Sequence, residues 1–296
     1  MKEHFPKLGL EKLCRLFGKT RQGYYDHQGR RNSEGMQTAI ILQFVFEVRS
    51  SLPLIGAVKL HSMLKQKFTE HGVNIGRDSF FTLLRSYGLL IKKRRKYART
   101  TNSNHIFKRW PDLTLGLTLT SPGQLWVSDI TYLRLTNGFL YLALVTDAYS
   151  RKIIGHHVSN TLKVQGPLIA LSKAIASQCP KANLIHHSDR GIQYCSEPYV
   201  SLLQQNDILI SMTQNGSPYE NAIAERVNGI LKSELGADRI FKSYGHAVAT
   251  ITTAISLYNN QRPHMSLDQL TPDQAHQKSG TLTKKWKQKT VKLFQD

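Results

Sequence analysis

Two apolar runs joined by Asn137-Gly138 constrain the fold of this chain more than any other feature. "QLWVSDITYLRL" precedes this dipeptide, and "FLYLALVTDAYS" follows it. Asn-Gly between two such runs is the strongest short signal for a β-hairpin, because both residues readily adopt the positive φ of the turn. "KIIGHHVS" then predicts a third strand, and predicted helices alternate with the short runs "NLIHHSD" and "ILISM". The pattern predicts an α/β core, a mixed five-stranded sheet with helices on both faces.

The first 92 residues predict helices instead of strands. Apolar residues at helical spacing in residues 10–17, followed by a second helical pattern from Thr20, outline a helix-turn-helix. Many helical hairpins without a DNA-binding role share this outline. We expect a helix-turn-helix-like segment over residues 1–35 and a helical, helix-turn-helix-like DNA-binding domain over residues 36–92.

The net charge of +20 is concentrated at the two ends of the chain. Residues 1–110 carry 22 basic and 7 acidic side chains, residues 111–260 carry 11 and 10, and residues 261–296 carry 7 and 3. A basic N-terminal third beside a nearly neutral centre predicts binding of a polyanion such as DNA. The alternative interpretation is charge that only keeps the protein in solution.

A basic run, "KKRRKYART", separates the helical part from the strands. It leads into "TNSNH", which has neither helical nor strand periodicity, so we expect a linker over residues 93–120. The core then spans residues 121–275, and a basic tail spans residues 276–296. The linker is either a solvated hinge or a segment that follows DNA phosphates. Its candidate phosphate contacts are Lys92, Lys93, Arg94, Arg95 and Lys96.

Several protein classes are disfavoured by the composition. Three cysteines without CxxC spacing cannot all pair, which indicates a reducing compartment rather than a secreted disulfide scaffold. The N-terminus lacks the apolar core of a signal peptide, and no apolar run approaches the ~18 residues that span a bilayer. We expect a cytoplasmic, nucleoid-associated protein with no membrane partner.

Two acidic residues stand in apolar surroundings. Asp129 is the only acid in the first predicted strand, and Asp189 ends the strand "NLIHHSD". Two acids on neighbouring strands repel each other unless a cation lies between them, so the pair predicts a divalent metal site. Asp147 is interpreted as a turn residue rather than a further ligand. Of His186 and His187, one should pack and the other face the site, and neither is assigned as a ligand because Mg²⁺ prefers oxygen.

The helix "SPYENAIAERVNGILKSELG" is expected to supply the third acid. At ~100° per residue, Glu225 heads a polar face that it shares with Asn228, Gly229 and Lys232, whereas the apolar residues fall on the opposite face. Glu225 follows Asp189 after an interval of 35 residues. It is therefore the candidate third ligand.

Together these motifs resemble a known family. "WVSDIT", "HHSDRGIQY", the interval of 35 residues and a lysine seven residues after the glutamate are similar to the DDE signature of retroviral integrase-like transposases. The helix and the segment "YNNQRPHMSLDQLTP" resemble the B-frame transposase subunit of the insertion-sequence group whose enzyme is encoded in two overlapping frames, A and B. The resemblance runs from about residue 8 to 275.

This resemblance implies an RNase H-like catalytic core preceded by a helical DNA-binding region. In such a core Asp129, Asp189 and Glu225 would be catalytic and would hold two Mg²⁺ ions, with Mn²⁺ able to substitute. The implied activity is metal-dependent cleavage at insertion-sequence ends, followed by strand transfer from the 3′-hydroxyl. The implied partners are DNA (terminal inverted repeats and target), further copies of this chain in an oligomer on DNA, and the A-frame subunit or the A/B fusion.

The resemblance also suggests which residues meet DNA. Lys232 would contact a phosphate near the cut, and Gly229 would leave room for the DNA backbone. Arg262 and His264 fit either a DNA contact or a helix stop with a turn. Two other functions stay open: a catalytically silent DNA-binding regulator of transposition, and a metal-dependent nuclease on the same fold. The candidate DNA contacts outside the linker are Lys232, Arg190, Asn228, Arg262 and His264.

Overall fold

The computed structural model describes residues 8–91, 110–214 and 221–282, with residues 30–34 described as backbone only. The predicted phosphate contacts Lys92 to Lys96 lie outside the described residues, as does most of the expected linker. Their role therefore stays a prediction.

Residues 8–91 are helical, as predicted. Thr20 caps the second helix, where its Oγ1 accepts a 3.0 Å hydrogen bond from the backbone N–H of Gly23. No proline occurs between Arg21 and Ser51, and the helix continues unbroken for 31 residues. The expected boundary between residues 35 and 36 falls inside this one helix, so the structure does not divide the chain there. The helices of this region are α1 Leu10–Leu16, α2 Arg21–Ser51, α3 Ala57–Glu70 and α4 Arg77–Ser86.

The core contains a mixed sheet in the order β3-β2-β1-β4-β5. The first three strands are antiparallel, and β4 and β5 run parallel to β1. All five predicted strands are present, and a sixth, β6, also pairs with β1. The sequence pattern missed β6 because two residues carry no periodicity. The strands are β1 Leu125–Leu135, β2 Gly138–Asp147, β3 Ile153–Ser159, β4 Ile185–Ser188, β5 Leu209–Met212 and β6 Ile240–Phe241.

Helices cover both faces of the sheet, and the alternation of β2 shows how. Successive strand residues point to opposite faces. Ala143 and Val145 join the apolar cluster that contains residues of α5 and α7. Leu142 and Leu144 join the cluster that contains residues of α8 and α9. The helices after the hairpin are α5 Gln165–Gln178, α6 Ile192–Cys195, α7 Glu197–Gln205, α8 Ala222–Glu234, α9 Tyr244–Asn260 and α10 Pro272–His276.

The helical region and the α8–α9 face of the sheet share one hydrophobic cluster. Leu60, Leu64 and Phe80 of the helical region belong to it, together with Ile230 of α8 and Tyr258 of α9. The two parts are therefore packed together. Among the described residues, no helix is both long and apolar enough to cross a membrane. Cys14, Cys179 and Cys195 are free.

Candidate active site

The parallel pairing of β1 with β4 brings the first two acids to the same level. Val127 pairs with His187, and two residues further along each chain stand Asp129 and Asp189. Asp129 lies inside β1, whereas Asp189 directly follows the last residue of β4. Neighbouring parallel strands in the same register place these two acids side by side, as the sequence predicted.

Asp129 is partly buried and held by two hydrogen bonds. Its Oδ2 accepts from Nδ2 of Asn228 at 2.8 Å, and its Oδ1 accepts from the backbone N–H of Ile130 at 2.9 Å. The pKa of Asp129 is raised from 3.8 to about 7, and burial is the largest cause. The negative charges of Asp189 and, more weakly, Glu225 contribute to this shift, and the two hydrogen bonds oppose it. Asp129 therefore lies in the negative field of both other acids.

Asp189 is oriented by the loop that follows it. Its Oδ1 accepts a 2.9 Å hydrogen bond from the backbone N–H of Gly191. A Cβ on residue 191 would lie 2.9 Å from the same oxygen, so a larger residue there would displace the carboxylate. Arg190 extends towards β5, where its guanidinium donates to the carbonyl of Thr213 and, at 3.4 Å, to Oε1 of Gln214. A DNA contact by Arg190 stays a prediction.

Glu225 lies exposed in the first turn of α8. The start of this helix is fixed to β1 by Asn221, a residue that the sequence analysis did not single out. The buried Nδ2 of Asn221 donates a 3.0 Å hydrogen bond to the carbonyl of Ser128, the residue before Asp129. The sequence pattern placed Asn221 inside the predicted helix, whereas α8 begins one residue later, so the pattern gave no signal for this contact.

The polar face of α8 points towards the acids. Asn228 is only 5% exposed and donates to Asp129, and its role as a DNA contact stays a prediction. Its place beside Glu225 on the helical wheel was the signal for the contact it does make. Lys232 is half-buried, and burial lowers the pKa of its ammonium while the charges of Asp238 and Asp129 oppose the shift. Lys232 therefore lies within electrostatic reach of Asp129.

The donor set suits a hard divalent cation, because carboxylate oxygens are its preferred ligands and a cation would relieve the repulsion that raises the pKa of Asp129. Among the described residues, however, no group of three or more His, Cys, Asp or Glu side chains is placed to hold a metal ion. Asp129, Asp189 and Glu225 share one electrostatic site, but they are not drawn into a coordination shell.

Both histidines of β4 are buried, and the expectation that one of them faces the site stays a prediction. His186 is 1% exposed, and its Nε2 forms hydrogen bonds with Oγ of Ser128 at 2.7 Å and the hydroxyl of Tyr199 at 3.0 Å. Burial lowers the pKa of His186 to about 3, which keeps the ring neutral. His187 is 0% exposed, and its Nδ1 bonds to Oγ of Ser211 at 2.8 Å.

Asp147 is a turn residue, as predicted. Its Oδ1 accepts from the backbone N–H and the Oγ of Ser150 at 2.8 and 2.7 Å, and its Oδ2 accepts from the backbone N–H of Gly123 at 2.8 Å. Its carboxylate is thus occupied by the turn between β2 and β3.

Arg262 and His264 lie in the interior, which contradicts their predicted role as DNA contacts. Arg262 is 1% exposed, and its Nε and Nη2 each donate to the carboxylate of Glu234 at 2.8 Å. His264 is 6% exposed, and its ring lies against Tyr258 with centroids 5.1 Å apart. A guanidinium paired in this two-pronged way has its donors satisfied within the protein.

Comparison with known proteins assigns the chain to a family. Two models described as "Integrase core domain" match residues 120–218 and 206–272. The uncharacterized 31 kDa protein of insertion element IS600 from Shigella sonnei is 35% identical over 265 residues, which are 88% of this chain and 96% of that protein. The transposase for insertion sequence element IS629, also from Shigella sonnei, is 30% identical over 71% of each chain. The chain belongs to the insertion-sequence transposase family.

A further relative of this transposase-family chain matches most of its length. The transposase InsF for insertion sequence IS3A of Escherichia coli K12 is 29% identical over 94% of this chain and 98% of that one. Among solved structures, a simian T-cell lymphotropic virus intasome in complex with a PP2A subunit matches 80% of this chain and 79% of that one, with 21% identity and a TM-score of 0.48. That structural likeness is too remote to add to the argument.

Family membership and sheet order together establish the fold and the general class of activity. The core has the RNase H-like fold of integrase cores, and the helices before it fit a DNA-binding region. The family acts in DNA transposition, and its enzymes are of the polynucleotidyl transferase kind.

Proposed function

We propose that this chain cleaves DNA strands at the ends of its insertion sequence and transfers the resulting 3′-hydroxyls to target DNA. The observation that carries the proposal is the shared field of the three acids. The pKa of Asp129 is raised to about 7 by burial, by the charge of Asp189 and, least, by that of Glu225. A carboxylate kept in such surroundings costs stability, and that cost is relieved when a cation binds.

Asp129, Asp189 and Glu225 would hold two Mg²⁺ ions, which Mn²⁺ could replace. When bound, such ions activate an attacking oxygen and stabilise the leaving oxygen of an in-line phosphoryl displacement.

The chain's own residues would position the reacting groups. Asn228 orients the carboxylate of Asp129, and the backbone N–H of Gly191 orients that of Asp189. Asn221 fastens the start of α8, and thereby Glu225, to β1. Lys232, half-buried beside Asp129, would bind the phosphate next to the cut and hold it against the acids.

We propose that the DNA partners are the terminal inverted repeats and the target. Support comes from the charge of the N-terminal third, which carries 22 basic and 7 acidic residues. Further copies of this chain would assemble on the DNA, and the A-frame subunit or the A/B fusion would join them.

The test uses end-labelled DNA that carries the terminal repeats flanking this coding region, with Mg²⁺ and a target duplex. We expect nicks that release 3′-hydroxyls, followed by joined strands. Both products should be absent with Asp189→Asn and present with Glu197→Gln, an exposed acid in the first turn of α7 that serves as the control.

Other outcomes would favour the alternative functions. Nicks that are never joined, even with excess target, would indicate a nuclease. Binding without cleavage would indicate a silent regulator, unless addition of the A/B fusion restores both products.

A further inference from the structure

One carboxylate connects the helical region to the end of α8. Glu234, the last residue of α8, accepts both 2.8 Å hydrogen bonds of Arg262. Nζ of Lys59, on α3, donates to the same two oxygens at 3.1 and 3.3 Å. The side chains of Lys59, Glu234 and Arg262 are only 13%, 17% and 2% exposed. The ion pair thus lies inside the packing of the helical region against the core.

This cluster holds two cations against one acid, which is an expensive arrangement. Burial and the charge of Arg262 lower the pKa of Lys59 to about 8, Glu234 opposes the shift, and Arg226 on α8 adds to it. Arg262 alone neutralises Glu234, so a second buried cation is not needed for stability. Buried ion pairs are in general weak sources of stability, and their best-attested role is to specify one packing arrangement.

The apolar contacts between the helical region and the core cannot fix one packing arrangement by themselves. Hydrophobic packing is not directional, so it allows small shifts of one helix over another. An ion pair at fixed distance selects one placement. Glu234 lies nine residues beyond Glu225 on the same helix, about 13 Å away at 1.5 Å per residue. A displacement at Glu234 would therefore carry the proposed metal ligand with it.

We propose that Lys59 is a positioning residue which, through Glu234, sets the placement of α8 and so of Glu225 and Lys232. The inference rests on the proposed strand cleavage. It makes docking of the helical region part of the assembly of the active site, so that this region does more than hold DNA.

The experiment compares Lys59→Met with Lys67→Met, a matched control on the same helix. Lys67 pairs with Glu47 at 2.8 Å, but their side chains are 42% and 57% exposed. Single-turnover cleavage and DNA affinity are measured on terminal-repeat DNA with Mg²⁺. Amide hydrogen exchange of α8 is measured on the protein without DNA, which gives a readout independent of activity. Lys59→Gln replaces Lys59→Met should the latter not fold.

We expect Lys59→Met to bind DNA within about twofold of wild type and to cleave about tenfold more slowly, because small misplacements of reacting groups cost rate rather than affinity. Exchange should quicken in the last turn of α8. Lys59→Arg should restore both, and Lys67→Met should change neither.

Wild-type cleavage together with normal cleavage by Lys59→Met would overturn the inference. Loss of DNA affinity that matches the loss of rate would also overturn it, because Lys59 would then act in binding. Should wild type itself not cleave, the proposed function fails, and unchanged exchange in α8 would then reject the inference on its own.

Discussion

The Nδ2 amide of Asn228 donates a 2.8 Å hydrogen bond to Oδ2 of Asp129 and so ties α8 to β1 at the proposed metal ligands. Asn228 is 5% exposed, and its Oδ1 has no hydrogen-bond partner among the described residues. A buried amide that leaves one oxygen unsatisfied for the sake of this one bond indicates that the orientation of Asp129 matters.

Asn228→Ala should raise the pKa of Asp129 further, because the amide hydrogen bond favours the ionised carboxylate. NMR titration of the metal-free protein should show an increase of about one unit, and cleavage should slow about tenfold. Asn206→Ala is the control, since it removes a 2.8 Å amide bond to the carbonyl of Leu202 outside the site. An unchanged titration of Asp129 in Asn228→Ala would contradict the assigned role.

Asp129→Asn should stabilise the metal-free protein at about pH 8 but not at about pH 4. The pKa of Asp129 is 3.8 ordinarily and about 7 in the folded chain, so between these values the folded state binds the extra proton and stability falls as pH rises. Removing the charge should raise the free energy of unfolding by on the order of a few kcal/mol above pH 7. Thermal denaturation at both pH values measures this.

Mg²⁺ should raise the melting temperature of wild type at about pH 8 and leave Asp129→Asn nearly unaffected, because binding to the folded state alone is stabilising. Asp78→Asn, at an exposed acid of α4, controls for a general effect of lost charge. An equal stability gain for Asp129→Asn at both pH values would show that its carboxylate is not strained.

Arg262→Ala should unfold the core rather than weaken DNA binding alone. It removes two charge-assisted hydrogen bonds to Glu234, each worth about 1.5 to 3 kcal/mol, and leaves this carboxylate paired with Lys59 alone. Urea denaturation measures the loss of stability. Normal stability of Arg262→Ala would return Arg262 to the candidate DNA contacts.

Lys232→Ala should behave in the opposite way, with near-normal stability and weaker binding of terminal-repeat DNA.

Gly229→Ala should make the protein more stable and less active. Residue 229 is exposed on α8, and a Cβ there would meet no atom within 4 Å. Alanine in a helix is favoured over glycine by roughly 0.5 to 1 kcal/mol. A DNA backbone that approaches this position would meet the new methyl group, so affinity and cleavage should fall. Gly245→Ala on α9 should gain stability without this loss.

Much of the fold follows from local periodicity. The hairpin at Asn137-Gly138, the alternation along β2 and the polar face of α8 all depend on neighbours within four residues. The three acids could be selected for the same reason, since Asp129 and Asp189 interrupt apolar strands and Glu225 heads a polar helical face. Helix ends were harder to predict from the sequence, because α2 continues through glycines, which often end a helix.

The sequence by itself determined most of the elements, the candidate acids and the family, because period, spacing and composition are properties of the chain as written. Only the tertiary structure decided which polar groups form hydrogen bonds and ion pairs inside the protein. The two cations that pair with Glu234, Arg262 and Lys59, are 28 and 175 residues away in sequence. The amide that donates to Asp129 is 99 residues away. An arginine after a helix has the same local pattern whether it faces DNA or a buried carboxylate. What separates the two cases is desolvation and a partner distant in sequence, and both exist only once the chain has packed.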